Sequence, residues 1–145
     1  QRQRKKTAFL HRKVQRQRKD YLHVLSKREV ENQDLIAAED LKVANMKKNH
    51  KLAKAVSDAG WRTFLTMLQY KGALYGKIVV LVPADYTTQT CSVCGYVMKG
   101  DEHLTLKTRQ WECPSCHTIH HRDTNAANNI LVRGIALLKE QGLLP

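Results

Sequence analysis

Four cysteines in two closely spaced pairs constrain the fold of this 145-residue chain more than any other feature. Cys91 and Cys94 form the first pair, Cys113 and Cys116 form the second, and 18 residues separate the two pairs. Thiolates at this spacing can converge on one ion, and four of them complete the tetrahedral coordination that Zn²⁺ adopts in structural sites. The pattern therefore predicts a zinc ribbon over residues 86–120, in which a closed metal site stabilises the fold and leaves no position open for a substrate.

Two disulfide bonds and a redox-active dithiol are the alternatives for the same cysteines. Disulfide frameworks are typical of secreted chains, whereas no apolar signal segment follows the basic N-terminus here. A redox motif needs one CxxC pair, and this chain has two. The zinc ribbon is favoured over both, and Gly95 and His117, which follow the two pairs, suit the tight turns that direct paired sulfurs at one ion.

Positive charge is concentrated near the N-terminus. The chain has 25 Lys and Arg against 13 Asp and Glu, and residues 1–30 hold 11 of the bases and two of the acids, which is +9 of the net +12. Such a surface attracts a polyanion by releasing counterions, and nucleic acid is the expected partner. A solvated helix face without any partner is the alternative. The side chains predicted from charge to contact nucleic acid are Arg12, Lys13, Arg16, Arg18, Lys19, Lys47 and Lys48.

Apolar periodicity predicts an α/β order of elements. A helix is expected over residues 9–30, where apolar side chains recur at spacings of four and seven, and a short buried strand is expected over 34–39. The polar stretch 44–54 is expected to be a loop. No apolar run approaches the length of about 18 residues that a membrane span requires, so no membrane association is expected.

The rest of the chain continues this pattern. Ser57 or Asp58 is expected to cap a helix that ends at Gly76. The β-branched run over residues 77–82 predicts a second buried strand, and strand, helix and strand in this order predict a parallel pair. A final helix is expected over residues 123–141, after the ribbon.

Two acidic residues stand at positions where α/β proteins hold ligands. Glu39 lies at the carboxyl end of the first predicted strand, the edge at which open sheets place ligand and metal groups. Asp123 lies at the start of the final predicted helix. Each has a purely structural explanation, since Glu39 could end a strand and Asp123 could cap a helix. Together, in a basic protein, they suggest a site of the two-metal nuclease kind, where carboxylates hold Mg²⁺ beside a scissile phosphate.

Several short motifs occur in the order that is typical of one protein family. They are Ala38-Glu-Asp-Leu-Lys-Val43, Ala59-Gly-Trp61 with Phe64-Leu65, Thr90-Cys-Ser-Val-Cys-Gly95, Trp111-Glu-Cys-Pro-Ser-Cys116, and His121-Arg-Asp-Thr-Asn-Ala-Ala127 with Asn129-Ile130. Over nearly its whole length the chain resembles the OrfB/TnpB family of insertion-sequence proteins. Members of this family have long been called transposases, and they are related to type V CRISPR effectors. The resemblance implies the C-terminal part of a nuclease with a partial RNase H-like (RuvC) fold. Core elements would occupy residues 1–85, the inserted zinc ribbon 86–120 and the final helix 121–145.

The activity implied by this resemblance is RNA-guided cleavage of double-stranded DNA. A guide RNA would pair with one strand, and a Mg²⁺-dependent RuvC site would cut. Glu39 is similar to the second catalytic acid of the family and Asp123 to the third, and both are expected to bind Mg²⁺. Arg122 and Asn125, close to the third acid, are expected either to support the catalytic side chains or to face the nucleic acid. The expected location is the cytoplasm of a prokaryote, at the nucleoid when the protein binds DNA.

One feature of the family has no counterpart in these residues. The first catalytic Asp of the family lies on a strand upstream of the basic helix, and this sequence contains no such segment. We therefore expect this chain alone to be inactive as a nuclease, because two of three acids do not complete a two-metal site. The alternative function is a truncated nucleic-acid-binding module or regulatory remnant, which would hold its partner through the basic helix and the ribbon without turnover.

Overall fold

Three α-helices and two pairs of strands make up the part of the chain that the structure describes, which is residues 1–41, 60–105 and 107–144. The structure is a computed structural model. Along the chain, its elements are α1 (Arg2–Asn32), β1 (Leu35–Glu39), α2 (Trp61–Tyr75), β2 (Ile78–Val82), a 3₁₀ turn (Gly100–Glu102), β3 (Gln110–Glu112), β4 (Ile119–His121) and α3 (Arg122–Glu140). This mixture of helices and strands confirms the predicted α/β class. No helix in the described residues is both long enough and apolar enough to cross a bilayer.

Residue contacts divide the chain into two compact units. The helical unit consists of Gln1–Ile36 and Lys42–Val79, and the ribbon unit consists of Ala37–Leu41 and Val80–Pro145. β1 and β2 therefore contribute their first residues to the helical unit and their last residues to the ribbon unit. The predicted division into core, ribbon and final helix follows motifs rather than contacts, and it stays a prediction.

The basic helix predicted over residues 9–30 is confirmed, and it is longer than predicted. α1 runs from Arg2 to Asn32 without a Gly or Pro to interrupt it. Residues 1–21 are exposed throughout, and they include the apolar side chain of Leu10. The last turns of α1 hold its buried positions, so the basic N-terminal part of the helix is open to solvent.

The helical unit is held together by the contact between α1 and α2. Val30 on α1 and Leu65 on α2 are 0% and 1% exposed. Lys71 of α2 is buried as well, and its Nζ donates hydrogen bonds to Ser26 Oγ at 2.8 Å and to the carbonyl of His23 at 2.5 Å. Burial lowers the pKa of Lys71, because the ammonium group loses hydration there.

Glycine residues mark both ends of α2, which begins later than predicted. Its N-cap is Gly60, with a φ of +64°, whereas the predicted caps Ser57 and Asp58 lie outside the described residues. Glycine adopts a left-handed φ without the steric penalty that a Cβ would add. Gly76 ends the helix as predicted, with a φ of +66° and an N–H donated back to the carbonyl of Gly72.

β1 and β2 pair in a two-stranded sheet, and both strands lie where they were predicted. In the helical unit, the Ile78 N–H donates to the Asp34 carbonyl at 3.0 Å, and in the ribbon unit the Asp40 N–H donates to the Val82 carbonyl at 2.8 Å. The first residues of the two strands therefore lie side by side, and so do their last residues. The strands run parallel, as predicted. Glu39 is the last residue of β1 and lies at the carboxyl edge of this sheet.

Within the ribbon unit, α3 packs on the sheet. A Cβ added at Gly134 would lie 2.8 Å from Ala37 Cβ and 2.9 Å from Val80 Cγ1, so a side chain there would require the neighbours to move. Leu138, one turn later, is 3% exposed. The helix predicted over residues 123–141 is thereby confirmed to within one residue at each end.

Candidate metal centre and acidic residues

The four cysteine sulfurs converge in the ribbon unit. All four Sγ atoms lie within 4.8 Å of one another, with 3.7 Å between Cys91 and Cys116 and 3.6 Å between Cys94 and Cys113. A tetrahedral ion with metal–sulfur bonds of about 2.3 Å needs sulfurs about 3.8 Å apart. A disulfide needs about 2.05 Å. The sulfur positions therefore fit one tetrahedral metal ion such as zinc, and they do not fit two disulfides.

Both cysteine pairs lie in the same kind of turn. Gly95 has a φ of +76° and donates its N–H to the Cys91 carbonyl at 2.9 Å. His117 has a φ of +57° and donates its N–H to the Cys113 carbonyl, also at 2.9 Å. These hydrogen bonds close each turn one residue after the second cysteine of the pair. The two residues thus occupy the tight turns predicted for them.

The ribbon has a small core beneath the sulfurs. Met98 and Trp111 are 2% and 8% exposed and pack with the buried Cys91 and Cys113. β3 and β4 pair antiparallel, with Trp111 directly opposite His120. The second cysteine pair lies in the loop between these two strands. Because Cys91 and Cys113 both belong to the core, its packing holds both cysteine turns in place.

His120 is a metal-centre residue that the sequence pattern did not reveal. It is 8% exposed, its Nε2 lies 3.1 Å from Cys91 Sγ, and its ring lies 4.7 Å from that of Trp111 between centroids. A metal-bound thiolate accepts hydrogen bonds, so the compatible tautomer carries its proton on Nε2. In the sequence, His120 is marked by its place at the centre of the short strand β4, whose pairing with β3 puts it opposite Trp111.

Two of the four cysteine thiols have pKa values that are shifted in opposite directions, Cys91 upward and Cys116 downward. Burial raises the pKa of Cys91 to about 11, because the interior does not solvate a thiolate. Side-chain and backbone hydrogen bonds with Thr118 lower the pKa of Cys116 to about 6. Cys116 is therefore ready to bind a cation at neutral pH, whereas Cys91 must lose its proton as the metal binds.

Glu39 is half-buried at the end of β1 and is held by a side chain from the segment after β2. Its Oε1 accepts a hydrogen bond from the hydroxyl of Thr87, which is 2% exposed. The same hydroxyl also lies 3.3 Å from the Ala84 carbonyl, and its contact with Oε1 restrains the orientation of the carboxylate. Thr87 was not singled out from the sequence, because a lone threonine in a loop carries no pattern.

Asp123 lies in the first turn of α3, where a negative charge complements the helix dipole. Its side chain is 71% exposed and is paired with two arginines, at 3.4 Å from Arg109 Nη1 and 3.1 Å from Arg122 Nη2. Arg122 also donates to the Thr105 carbonyl at 3.1 Å, and its side chain is 14% exposed. Arg122 is thus engaged within the chain, and its contact with nucleic acid stays a prediction.

Both predicted catalytic acids belong to the ribbon unit. Among the described residues, the four cysteines form the one set of three or more His, Cys, Asp or Glu whose ligand atoms converge. Glu39 and Asp123 therefore do not belong to a three-acid cluster in this part of the chain.

The predicted nucleic-acid contacts on α1 lie on its exposed N-terminal part. They are Arg12, Lys13, Arg16, Arg18 and Lys19. Lys47 and Lys48, together with the loop predicted over residues 44–54, lie outside the described residues. The basic stripe that the charge distribution predicted is therefore a solvent-facing surface of α1.

Two protein-family models match the chain in succession. Residues 1–50 match the model described as OrfB_IS605, probable transposase. Residues 61–130 match the model described as Cas12f1-like, TNB domain. The first match contains α1 and Glu39, and the second contains the four cysteines and Asp123.

Known relatives align with almost the entire chain. A protein of Streptomyces pristinaespiralis is 42% identical over 134 residues, which are 92% of this chain and 32% of that protein. InsQ of Escherichia coli K12 is 33% identical over 153 residues, covering 95% of this chain and 37% of InsQ. Both are named as candidate RNA-guided DNA endonucleases. The chain spans about a third of the length of these relatives.

A solved structure has the same fold. The Cas12f1 chain in a cryo-EM complex with sgRNA and target DNA superposes with a TM-score of 0.63, covering 85% of this chain and 36% of that chain at 19% identity. This likeness shows a Cas12f1-like fold. The two family models and the relatives above 30% identity show that the chain belongs to the OrfB/TnpB family of insertion-sequence proteins.

Proposed function

We propose that this chain is the C-terminal part of a transposon-encoded, RNA-guided DNA endonuclease. Residues 1–85 and 121–145 would belong to a RuvC-like core of the RNase H fold, and residues 86–120 would be the inserted zinc ribbon. The observation that carries the proposal is the placement of Glu39. It lies at the carboxyl end of a parallel strand, in the same unit as α3, which carries Asp123 in its first turn and packs on that sheet.

Glu39 and Asp123 are proposed as catalytic acids that hold Mg²⁺. Carboxylate oxygens are the ligands that Mg²⁺ prefers, and Mg²⁺ would supply an activated water and neutralise charge on the scissile phosphate. In the protein, the hydroxyl of Thr87 orients Glu39, while Arg109 and Arg122 hold Asp123. An incoming phosphate or metal ion would compete with these arginines for the Asp123 carboxylate.

Zinc is the metal proposed for the four-cysteine site, in a structural role. Four thiolates complete a tetrahedral shell, so no coordination position stays open for chemistry. The ribbon has a core of only a few side chains. Metal binding would therefore supply much of the free energy that folds it.

DNA and a guide RNA are the proposed partners, as they are the components of the Cas12f1 complex. The exposed basic part of α1 supports a contact with phosphates. In the ribbon unit, a groove of about 1010 Å³ combines aromatic and basic side chains, which suits a nucleic-acid strand. Its lining includes Tyr86, Tyr96, Lys99, His103 and Arg133. The proposed location is the cytoplasm of a prokaryotic cell, at the nucleoid when DNA is bound.

A chimera tests the nuclease proposal. This chain would replace the matching third of the Streptomyces relative, and the purified chimera would be incubated with that relative's guide RNA, target plasmid and Mg²⁺. We expect guided cleavage that is lost in Glu39→Ala and in Asp123→Ala and kept in Glu140→Ala, which alters an exposed acid at the other end of α3. Cleavage that survives Glu39→Ala in a folded, zinc-loaded chimera would contradict the proposal.

A nucleic-acid-binding module without turnover is the second candidate function. It is favoured by the exposed basic surface of α1, which does not involve Glu39 or Asp123. On this view the chain alone binds RNA or DNA equally well after both acids are changed to alanine. A chimera that binds target but never cuts, although the Streptomyces protein cuts under the same conditions, would favour it.

A further inference from the structure

A ten-residue segment joins the end of the β1–β2 sheet to the metal centre. This linking segment, residues 83–92, begins directly after β2 and ends within the first cysteine pair. It contains Thr87, whose hydroxyl donates to Glu39, and Ser92, which lies between Cys91 and Cys94. The segment therefore touches the proposed catalytic acid near its middle and the proposed zinc site at its end.

One face of α3 binds the backbone of the linking segment along its length. The side chains concerned are Asn125, Asn129 and Arg133, which are four residues apart and so lie on the same side of the helix. Arg133 Nη1 donates to the carbonyls of Pro83 at 3.4 Å and Asp85 at 2.5 Å. The beginning of the segment is therefore fastened to α3 by an arginine.

The two asparagines fasten the middle and the end of the segment. Asn129 Nδ2 donates to the carbonyls of Thr87 at 2.9 Å and Thr90 at 2.7 Å. Asn125 Nδ2 donates to the same Thr90 carbonyl at 2.7 Å, and its Oδ1 accepts the N–H of Ser92 at 2.8 Å. Asn125 and Asn129 are 2% and 8% exposed. Water cannot easily replace these partners, because buried amides without hydrogen bonds are strongly disfavoured.

We propose that Asn125 and Asn129 are positioning residues that connect the metal centre to Glu39. When the first cysteine pair is fixed by its metal ion, Asn125 holds Ser92 and Thr90. Asn129 then holds Thr90 and Thr87, and Thr87 holds the Glu39 carboxylate. The ribbon thereby sets the orientation of an acid at the sheet edge. The connection rests on the proposed function only in the claim that Glu39 is catalytic.

The test uses the zinc-loaded 145-residue chain, so it does not depend on cleavage. The carboxyl carbon of Glu39 is followed by ¹³C NMR and assigned with Glu39→Gln. Asn129→Ala and Thr87→Val are expected to shift this signal while zinc stays bound. Thr87→Ser, which keeps the hydroxyl, and Asn128→Ala, which changes an exposed asparagine of the same helix, are expected to leave it in place.

Asn125→Ala tests the connection from the metal side, because Asn125 contacts neither Glu39 nor Thr87. It is expected to shift the Glu39 signal in the same direction as Asn129→Ala, with one zinc still bound. An unchanged Glu39 signal in zinc-loaded Asn125→Ala and Asn129→Ala would overturn the proposal. So would an equal shift in Asn128→Ala, since the asparagines would then act only through general helix stability.

The proposed function can fail separately. If the Glu39 signal behaves as expected but the chimera cuts after Glu39→Ala, the connection stands and the catalytic assignment falls. If the chimera depends on Glu39 and also cuts normally with Asn125→Ala or Asn129→Ala, the asparagines do not position it. A loss of cutting in Thr87→Val that Thr87→Ser restores supports the connection.

Discussion

His120 Nε2 lies 3.1 Å from Cys91 Sγ, which places a buried imidazole against a buried thiol of the ribbon. Four thiolates around Zn²⁺ carry a net charge of −2, and an N–H donor nearby stabilises that charge. The ring is held for this contact by packing at a tilt against the ring of Trp111. His120 would therefore act on a bound metal ion through a ligand rather than as a ligand.

His120→Phe is expected to weaken zinc binding by about tenfold to a hundredfold, the usual effect of losing a hydrogen bond to a metal ligand. Phenylalanine keeps an aromatic ring opposite Trp111 but donates no proton. The measurement is zinc transfer to a chromophoric chelator. His121→Phe is the matched control, because His121 is exposed and bonds Gln110 instead. Equal zinc affinities of the two variants would contradict this role for His120.

Zinc affinity is expected to fall as the pH falls. With the pKa of Cys91 near 11 and that of Cys116 near 6, neutral metal-free protein keeps the first thiol protonated and the second ionised. Zinc must displace the Cys91 proton throughout this range, and below about pH 6 it must displace the Cys116 proton as well. Chelator competition should thus give an affinity that declines more steeply below this point. Thr118→Val, which removes the hydroxyl partner of Cys116, should move the steeper region to higher pH.

Replacing Lys71 by methionine is expected to raise the free energy of unfolding by about 1 kcal/mol, because an ammonium group that loses hydration on burial gives way to an apolar side chain of similar length. Among the described residues, the Lys71 Nζ hydrogen-bonds to uncharged oxygens, those of Ser26 and His23. Urea unfolding of the zinc-loaded chain is the measurement. Lys77→Met is the control, since it removes an ion pair with Asp34 and should not stabilise.

The same lysine predicts a pH dependence. Burial lowers the pKa of Lys71, so the folded chain binds this proton less tightly than the unfolded chain. Its contribution to stability is therefore lost as the pH falls through the lowered pKa and is recovered as the pH rises toward the ordinary value of 10.5. Stability of the unsubstituted chain should rise over that interval, and Lys71→Met should lack the rise. Parallel pH profiles of the two chains would contradict the prediction.

Neutralising the basic face of α1 is expected to weaken nucleic-acid binding and its salt dependence together. Each phosphate contact that is lost should reduce the slope of log affinity against log salt by about 0.7 to 0.9. The variant carries glutamine at Arg12, Lys13, Arg16 and Lys19, and fluorescence anisotropy over a salt series gives the slope. Lys27→Gln with Arg28→Gln is the control, because both side chains pair with glutamates on the same helix. An unchanged slope in the first variant would place the contact elsewhere.

Patterns within short stretches of the sequence predicted the four converging cysteines and the position of Glu39 at the edge of the sheet. Cysteine spacing identifies all four sulfurs, and an apolar run followed by Glu39 identifies a strand end, because both depend on neighbours along the chain. Gly76 was recognised as a helix stop for the same reason. By contrast, α2 begins later than the sequence predicted, because Gly60 provides a left-handed turn immediately before it, while Ser57 and Asp58 lie outside the described residues.

The family resemblance singled out Asn125, but the contacts of the polar residues that hold the site could not be predicted in this way. Asn125 and Asn129 are buried because the linking segment crosses their face of α3, and no local pattern encodes that path. Thr87 and His120 gain their roles from partners that are distant in sequence. In each case the tertiary contact decides, since a buried polar group needs a partner that only the folded chain supplies.

At Gly134, α3 lies directly against the β1–β2 sheet. The helix backbone rests directly on Ala37 and Val80 at this residue, and Asp123 lies 11 residues earlier in α3, about 16 Å along its axis. A methyl group at Gly134 would require the helix or its neighbours to move, and a tilt of the helix about that contact would displace Asp123. The missing side chain at Gly134, which lies against β1 two residues before Glu39, thus allows α3 to approach the strand end that carries this acid.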